Sequence, residues 1–390
     1  FFMVPKVKRW ADAVKGLTTG DLFEARFDRR TGTIAAVVIG LAWFTFVGGQ
    51  IIAGAKLVQV TMGVDLTLAV IASGAIVLAY TAMGGLKAVI FTDVFQMVIL
   101  MVGIVFIAVP IGLIEVGGWQ GIVTHFESDP ETASMVDWGA AGWGTIAEWF
   151  FAVFPVWFIS IAGMQRIIAA RDEKTARRSF LLTGVPIEWP LFAIGSTLIG
   201  MIARMLLPEI TDPEMATPMI ILELLPSGIA GIVIAAYVAA VMSSADSMLM
   251  GPVVIFVNDI YRKRLKPEAS DRELVRVARI AVIVFGILAI GLAYRVPNVL
   301  ELILYAYTFG AAGLFFPMLG LLFWRRTTAK GAYWSMLCGG GSAVIWSLAG
   351  EPFGMASSYM GWIIGLPVMV IVSLLTDHSP DENTTLFYSE

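Results

Sequence analysis

The sequence predicts an all-α integral membrane protein, and three observations carry that prediction. Hydrophobic residues make up 58% of the 390 and charged residues only 14%, whereas a water-soluble chain carries about 25% charged residues. The mean hydropathy is +0.82. Apolar windows of about 20 residues, the length that crosses roughly 30 Å of hydrocarbon as a helix, recur along the whole chain, and the basic residues sort to one side of them.

The chain opens on FFMVP, which looks like the end of an apolar segment of a longer protein, and runs into a basic stretch expected to be a cytoplasmic loop over residues 1–32. About ten spans are then expected, at 33–60, 66–84, 90–113, 145–166, 178–206, 229–257, 278–294, 299–324, 331–349 and 358–376, followed by a polar tail at 378–390. The first holds Gly48 and Gly49 at membrane depth, the fourth Pro155, the fifth Pro186 and Pro190, and the eighth Gly310 and Gly313. Such residues free backbone carbonyls or let helices approach closely, and transporters build their sites at such breaks. No linker or low-complexity tract divides the chain, so one transmembrane unit is expected over 1–390.

With the opening loop inside, all but three of the 26 basic residues fall on the inner side; Lys56, Arg204 and Arg295 are the exceptions. A missed span early in the chain would scramble that bias. The outer loops are acidic instead, with Glu127, Asp129, Glu131 and Asp137 before the fourth span and Glu209, Asp212 and Glu214 before the sixth. A lone Cys338 makes no internal disulfide, and the two histidines, His125 in a loop and His378 near the tail, suggest no His-based metal cluster. No paired mid-membrane carboxylates or nucleophile motif suggests an enzyme, and no feature suggests a nucleic-acid partner.

The sixth span, IAGIVIAAYVAAVMSSADSMLMGPVVIFVNDIYR at 229–262, packs Ser243, Ser244, Asp246 and Ser247 into its middle. Ala240, Ser243, Ser244 and Ser247 fall at i, i+3, i+4 and i+7, on one helical face. That face could present oxygens to a small hard cation, or its hydroxyls could bond their own backbone or a neighbouring helix; spacing alone leaves both open. Asp93 sits a few residues inside its span, where it could line an ion route or merely cap a solvated end.

Four ordered stretches carry a resemblance: AYTAMGGLKAVIFTDVFQMVILMVG at 79–103, GMQRIIAARDEKTARRS at 163–179, AAVMSSADSMLM with VNDIYRKR at 239–264, and FWRRTTAKGA at 323–332. Together they resemble the sodium:solute symporter family. The resemblance implies the LeuT-type fold, two five-helix repeats of opposite orientation, with residues 33–327 as core helices three to ten, 328–377 as two further helices, and the first two core helices absent. It implies sodium as the coupling ion, held by the Ala240 carbonyl with Ser243 and Ser244, and a second sodium at Asp93, Asp246 and Ser247. It implies symport of a small organic solute across the cell membrane by a multi-pass protein, an amino acid such as proline or an organic acid being favoured over a sugar. Val153 and Val156 stand where sugar carriers are polar. Glu188, between Pro186 and Pro190, and Trp157 are the candidate solute contacts, with Phe158 beside them. A transporter-like solute sensor is the alternative, and the oligomeric state is open.

Overall fold

The computed structural model describes residues 3–14, 18–137, 139–377 and 388; inside its helices the side chains of 80, 83–93, 148, 152, 161, 188 and 189 lie outside that description. The described residues are helices and connecting turns, without a strand. Two short inner helices, α1 (Met3–Val14) and α2 (Thr19–Arg26), precede the long α3 (Arg29–Met62). Next come α4 (Leu66–Leu100), continued by a π-helical stretch (Met101–Ala108) and α5 (Val109–Glu115), then the outer α6 (Gly118–Glu127). The middle of the chain forms α7 (Gly142–Ile159), α8 (Ile161–Ala169), α9 (Glu173–Thr183), a second π-helical stretch (Gly184–Ala193), α10 (Ile194–Leu206) and α11 (Ala216–Leu224). The last part holds α12 (Ser227–Val254), a third π-helical stretch (Ile255–Leu265), α13 (Asp271–Arg295), α14 (Val299–Phe323), α15 (Ala329–Leu348) and α16 (Ser357–Leu375).

Among the described residues, eight helical stretches are long and apolar enough to cross a membrane, and each coincides with an expected span. The expected second span survives as the shorter apolar stretch Leu66–Ala79, and the ninth is α15. One boundary differs. Gly84 and Gly85 read as the end of a span, yet the backbone stays helical through α4; a glycine in a helix costs only about 1 kcal/mol, which neighbouring turns outweigh.

The three π-helical stretches were not expected from the apolar pattern. Each lies at a proline: Pro110 follows the first, Pro186 and Pro190 sit in the second, and Pro252 precedes the third. A proline removes one N–H and crowds the carbonyl four residues back. Widening the turn is one way to re-satisfy the freed groups where no water reaches.

Helix α3 is the spine. At about 1.5 Å per residue it is roughly 50 Å long, and it enters all three packed clusters. Ile39 and Trp43 lie in the inner one, with Leu314, Met318 and Ile167. Val47, Ile51 and Ile52 pack with α4, α12 and α13 through Val70, Leu249 and Val282. Leu57 joins the outer cluster beside Ile104, Ile202 and Val233.

On the far side, α14, α15 and α16 cross through small residues. A methyl group on Gly339 would stand 2.7 Å from the Ala312 carbonyl oxygen and 3.0 Å from that of Gly361, whereas one on Gly341 would meet nothing within 4 Å. Gly339→Val is therefore expected to destabilise the protein by about 1–3 kcal/mol through overpacking, while Gly341→Val leaves it near wild type. Thermal unfolding of the two variants in one detergent checks this; equal midpoints would contradict the crossing.

Candidate ion and solute site

Helix α12 crosses the bundle against α3, α4 and the first π-helical stretch; a methyl on Gly103 would press on Val233 Cγ2 at 2.7 Å. Nearer the mid-span oxygens, a methyl on Gly54 of α3 would stand 3.7 Å from Val241 Cγ1. Ala240, Ser243, Ser244 and Ser247 are half-buried, neither sealed in the core nor fully open. The Ser243 hydroxyl donates to the Ala240 carbonyl at 2.9 Å, which draws two of the expected ion-binding groups together. Asp246 is completely buried, and a carboxylate at that depth stays charged only beside a compensating group. Asp93 lies on α4 and Glu188 in the second π-helical stretch, but both side chains lie outside the described residues.

The fourth span is broken, and not where its proline suggested. Pro155 sits inside intact α7; the chain leaves the helix at Ser160, with φ −60° and ψ 116°, and re-enters it as α8. The Ser160 side chain accepts from the Gly163 N–H at 3.2 Å, capping the new helix. Sequence reasoning missed this break; the signal was a serine that can cap, one turn beyond a proline, inside an apolar run. The last carbonyls of α7 and the first N–H groups of α8 have no partner within their own helices. Discontinuous helices of this kind build solute sites at mid-membrane. Trp157, just before the break, is 53% exposed, while Val156 is buried at 5%. An aromatic run links α7 to α14 and α16: Phe154 to Phe158 at 5.2 Å, Phe158 to Phe315 at 5.5 Å, and Phe315 to Trp362 at 5.7 Å between ring centroids.

Polar ties close the two ends. On the inner side, the Thr18 hydroxyl donates to Asp259 Oδ2 at 3.1 Å, and Lys263 Nζ reaches Asp21 at 2.5 Å and Glu24 at 2.8 Å. These bonds join α2 to the end of the α12 limb. A small cleft lined by Thr18, Thr19, Met164, Gln165, Gly251, Val254 and Ile255 opens beside them. On the outer side, Lys56, 6% exposed, pairs with Asp212 at 2.7 Å and with Glu214. The other Glu214 oxygen accepts from the N–H groups of Val299 at 2.9 Å and Leu300 at 3.1 Å, on the positive N-terminal end of α14. Sequence reasoning did not assign these ties, although Lys56 stood out with Arg204 and Arg295 as basic residues on the acidic side.

A bundle of apolar helices with an interrupted helix and a patch of oxygens at mid-depth defines a membrane transporter, not an enzyme. The chain belongs to the sodium:solute symporter family, which matches over residues 2–339. The osmoregulated proline transporter OpuE of Bacillus subtilis is 28% identical, over 99% of this chain and 80% of its own length. The high-affinity proline transporter PutP of the same organism is 30% identical, over 98% of this chain and 82% of its own. Pantothenate, glucose and myo-inositol symporters also match. The fold is LeuT-type: a solved Na+-coupled sialic acid symporter in a substrate-bound outward-open state superposes with a TM-score of 0.72 at 24% identity, covering 97% of this chain and 80% of that one. The protein is a multi-pass sodium-coupled solute symporter of the plasma membrane, with Na+ as its coupling ion.

The outer tie makes a prediction. Removing one partner of a fully buried ion pair costs about 3–5 kcal/mol; here Lys56 is buried but Asp212 is 34% exposed, so the loss is expected to be smaller. Lys56→Met is expected to lower the unfolding midpoint clearly, and Lys56→Met with Glu214→Gln to cost less than the two single changes added together. Strict additivity would show that the pair does not couple.

Proposed function

We propose that the chain carries a small amino acid, such as proline, or an organic acid inward with sodium. Residues 33–327 serve as core helices three to ten in this reading. The first sodium is held by the Ala240 carbonyl and the Ser243 and Ser244 hydroxyls, a second by Asp93, Asp246 and Ser247. The solute rests at the break in the fourth span, against Trp157 and Glu188. The observation that carries the reading is the oxygen face of α12: half-buried at mid-membrane, with Ser243 drawn onto the Ala240 carbonyl at 2.9 Å.

Two further points support the solute class. Val153 is half-buried and Val156 is packed into the inner core cluster, so neither offers a polar group to a sugar's hydroxyls. Two relatives matched over nearly the whole chain are proline transporters.

Transport needs no covalent step. Each positive charge moving inward gains roughly 2.3 kcal/mol per 100 mV of membrane potential, and the ion drives the cycle only if it binds one conformation better than the other. The Thr18–Asp259 and Lys56–Glu214 ties lie at opposite ends of the bundle, where opening to either side must break or strain contacts.

Uptake into proteoliposomes tests the ion site. Ser243→Ala and Ser244→Ala should each raise the sodium concentration for half-maximal proline uptake roughly tenfold, the loss of about 1.4 kcal/mol, at an unchanged protein level; an unaltered sodium dependence removes both residues from the site. Glu188→Gln should shift the solute concentration for half-maximal uptake while leaving the sodium dependence in place. A silent result takes Glu188 off the solute wall.

A further inference from the structure

The first turns of α13 carry Arg272, Arg276 and Arg279, at i, i+4 and i+7, so they stand on one face. All three are exposed. None makes a hydrogen bond or ion pair with a described residue, and the nearby carboxylate of Glu273 is occupied by Lys266 and the Tyr261 hydroxyl, each at 2.7 Å. The same face continues outward as Ile283 and Ile287, with Val275 and Ile280 on its edges, all of them exposed. The arginine stripe and the lipid-facing stripe are one line.

Helix stability does not explain that line. The arginines occupy the first turns of α13, where the partial positive charge of the helix end disfavours cations; the acid-rich start that suits the helix is supplied by Asp271 and Glu273. Depth narrows the choice. From Arg279 to Arg295, the next basic residue on α13 and at its opposite end, the helix rises about 24 Å, less than the roughly 30 Å of a hydrocarbon core. Both side chains are therefore drawn to the level of the headgroups. Arg276 lies about 4.5 Å further along the axis, within the same zone. Guanidinium groups hold phosphate oxygens through paired N–H donors, which a lysine ammonium does not reproduce.

We infer that the Arg272, Arg276 and Arg279 face of α13 is a binding site for an anionic phospholipid of the inner leaflet. The guanidinium groups take the headgroup phosphate, and the Ile283 and Ile287 surface takes the acyl chains. The site lies on the outside of α13, away from the oxygen face of α12, so its test is independent of the transport reading.

The test uses purified full-length chain stripped of lipid. Thermal stability is followed while a short-chain phosphatidylglycerol, phosphatidylcholine or inorganic phosphate is added, and lipid retained after washing is measured by mass spectrometry. The expected result is stabilisation and retention with phosphatidylglycerol only. Substituting glutamine at all three positions (R272Q, R276Q and R279Q together) should weaken the phosphatidylglycerol response at least tenfold. A control with the same loss of charge elsewhere on the inner side (R30Q, K174Q and R178Q together) should keep it. Arginine-to-lysine changes at the three positions should fall between, and they provide the reading if the glutamine variant does not fold. Equal weakening in both triple variants would reduce the effect to diffuse charge and overturn the site. So would stabilisation by inorganic phosphate alone, absence of any preference in the unaltered protein, or a change of oligomeric size on substitution, which would assign the face to a second copy.

Discussion

Inside hydrocarbon no water is available to a polar group, so each one must be met by the protein itself. The structure obeys this wherever its helices stop being regular. Near Pro110, at Pro186 and Pro190, and after Pro252 the helix widens into π-helical turns, so that the chain stays hydrogen-bonded around a missing donor. At Ser160 the helix breaks outright, and the side chain at the break caps the helix that follows. Lys56, sunk at the outer end of α3, is met by two carboxylates, one of which also takes up the free N–H groups of α14. Each irregularity carries its own compensation. The half-buried oxygens of α12 differ: their only described bond is internal to the helix, which leaves acceptor capacity directed elsewhere.

That contrast separates frame from site. Helix α3 threads the three packed clusters and is tied at its outer end to α14, while the inner limb of α12 is tied to α2. A frame fixed in this way can hold the oxygen face of α12, the proposed ion site, still while neighbouring helices rearrange around it. Packed cores have discrete arrangements and do not deform smoothly. A small change in which oxygens an ion meets can therefore select one arrangement over another.

Much of this was legible in the sequence, for identifiable reasons. Span positions follow from runs of apolar residues and from the sidedness of Lys and Arg, which are properties of composition along the chain. The oxygen face of α12 was legible because i, i+3, i+4 spacing is fixed by helix geometry. The break at Ser160 was not, because Pro155 offered a stronger local signal and a capping serine looks like any other serine until its helix stops. The π-helical stretches were hidden for a similar reason: a proline announces a missing donor but not how the backbone absorbs it. The Lys56 tie was out of reach because its partners come from a loop more than a hundred and fifty residues away, and nothing local in either segment selects the other.

The hydrogen bond from Ser243 to Ala240 bears on how a cation would be held at this face. A hydroxyl has one proton and two lone pairs. Giving the proton to the Ala240 carbonyl fixes the orientation of the oxygen and leaves its lone pairs facing away from that bond. The Ala240 carbonyl, inside regular α12, also accepts the helical N–H of Ser244, so both of its lone pairs are engaged. Back-bonding and ligation by the hydroxyl are then compatible: the bond orders the Ser243 oxygen before an ion arrives, and preorganisation lowers the cost of binding, whereas the carbonyl would have to share an oxygen already bonded twice. Ligands of this kind carry no formal charge, so they hold an ion less tightly than a cage of carboxylates would. An ion that must be picked up and then released in every cycle needs that moderation, since a site that binds too tightly in every conformation drives nothing.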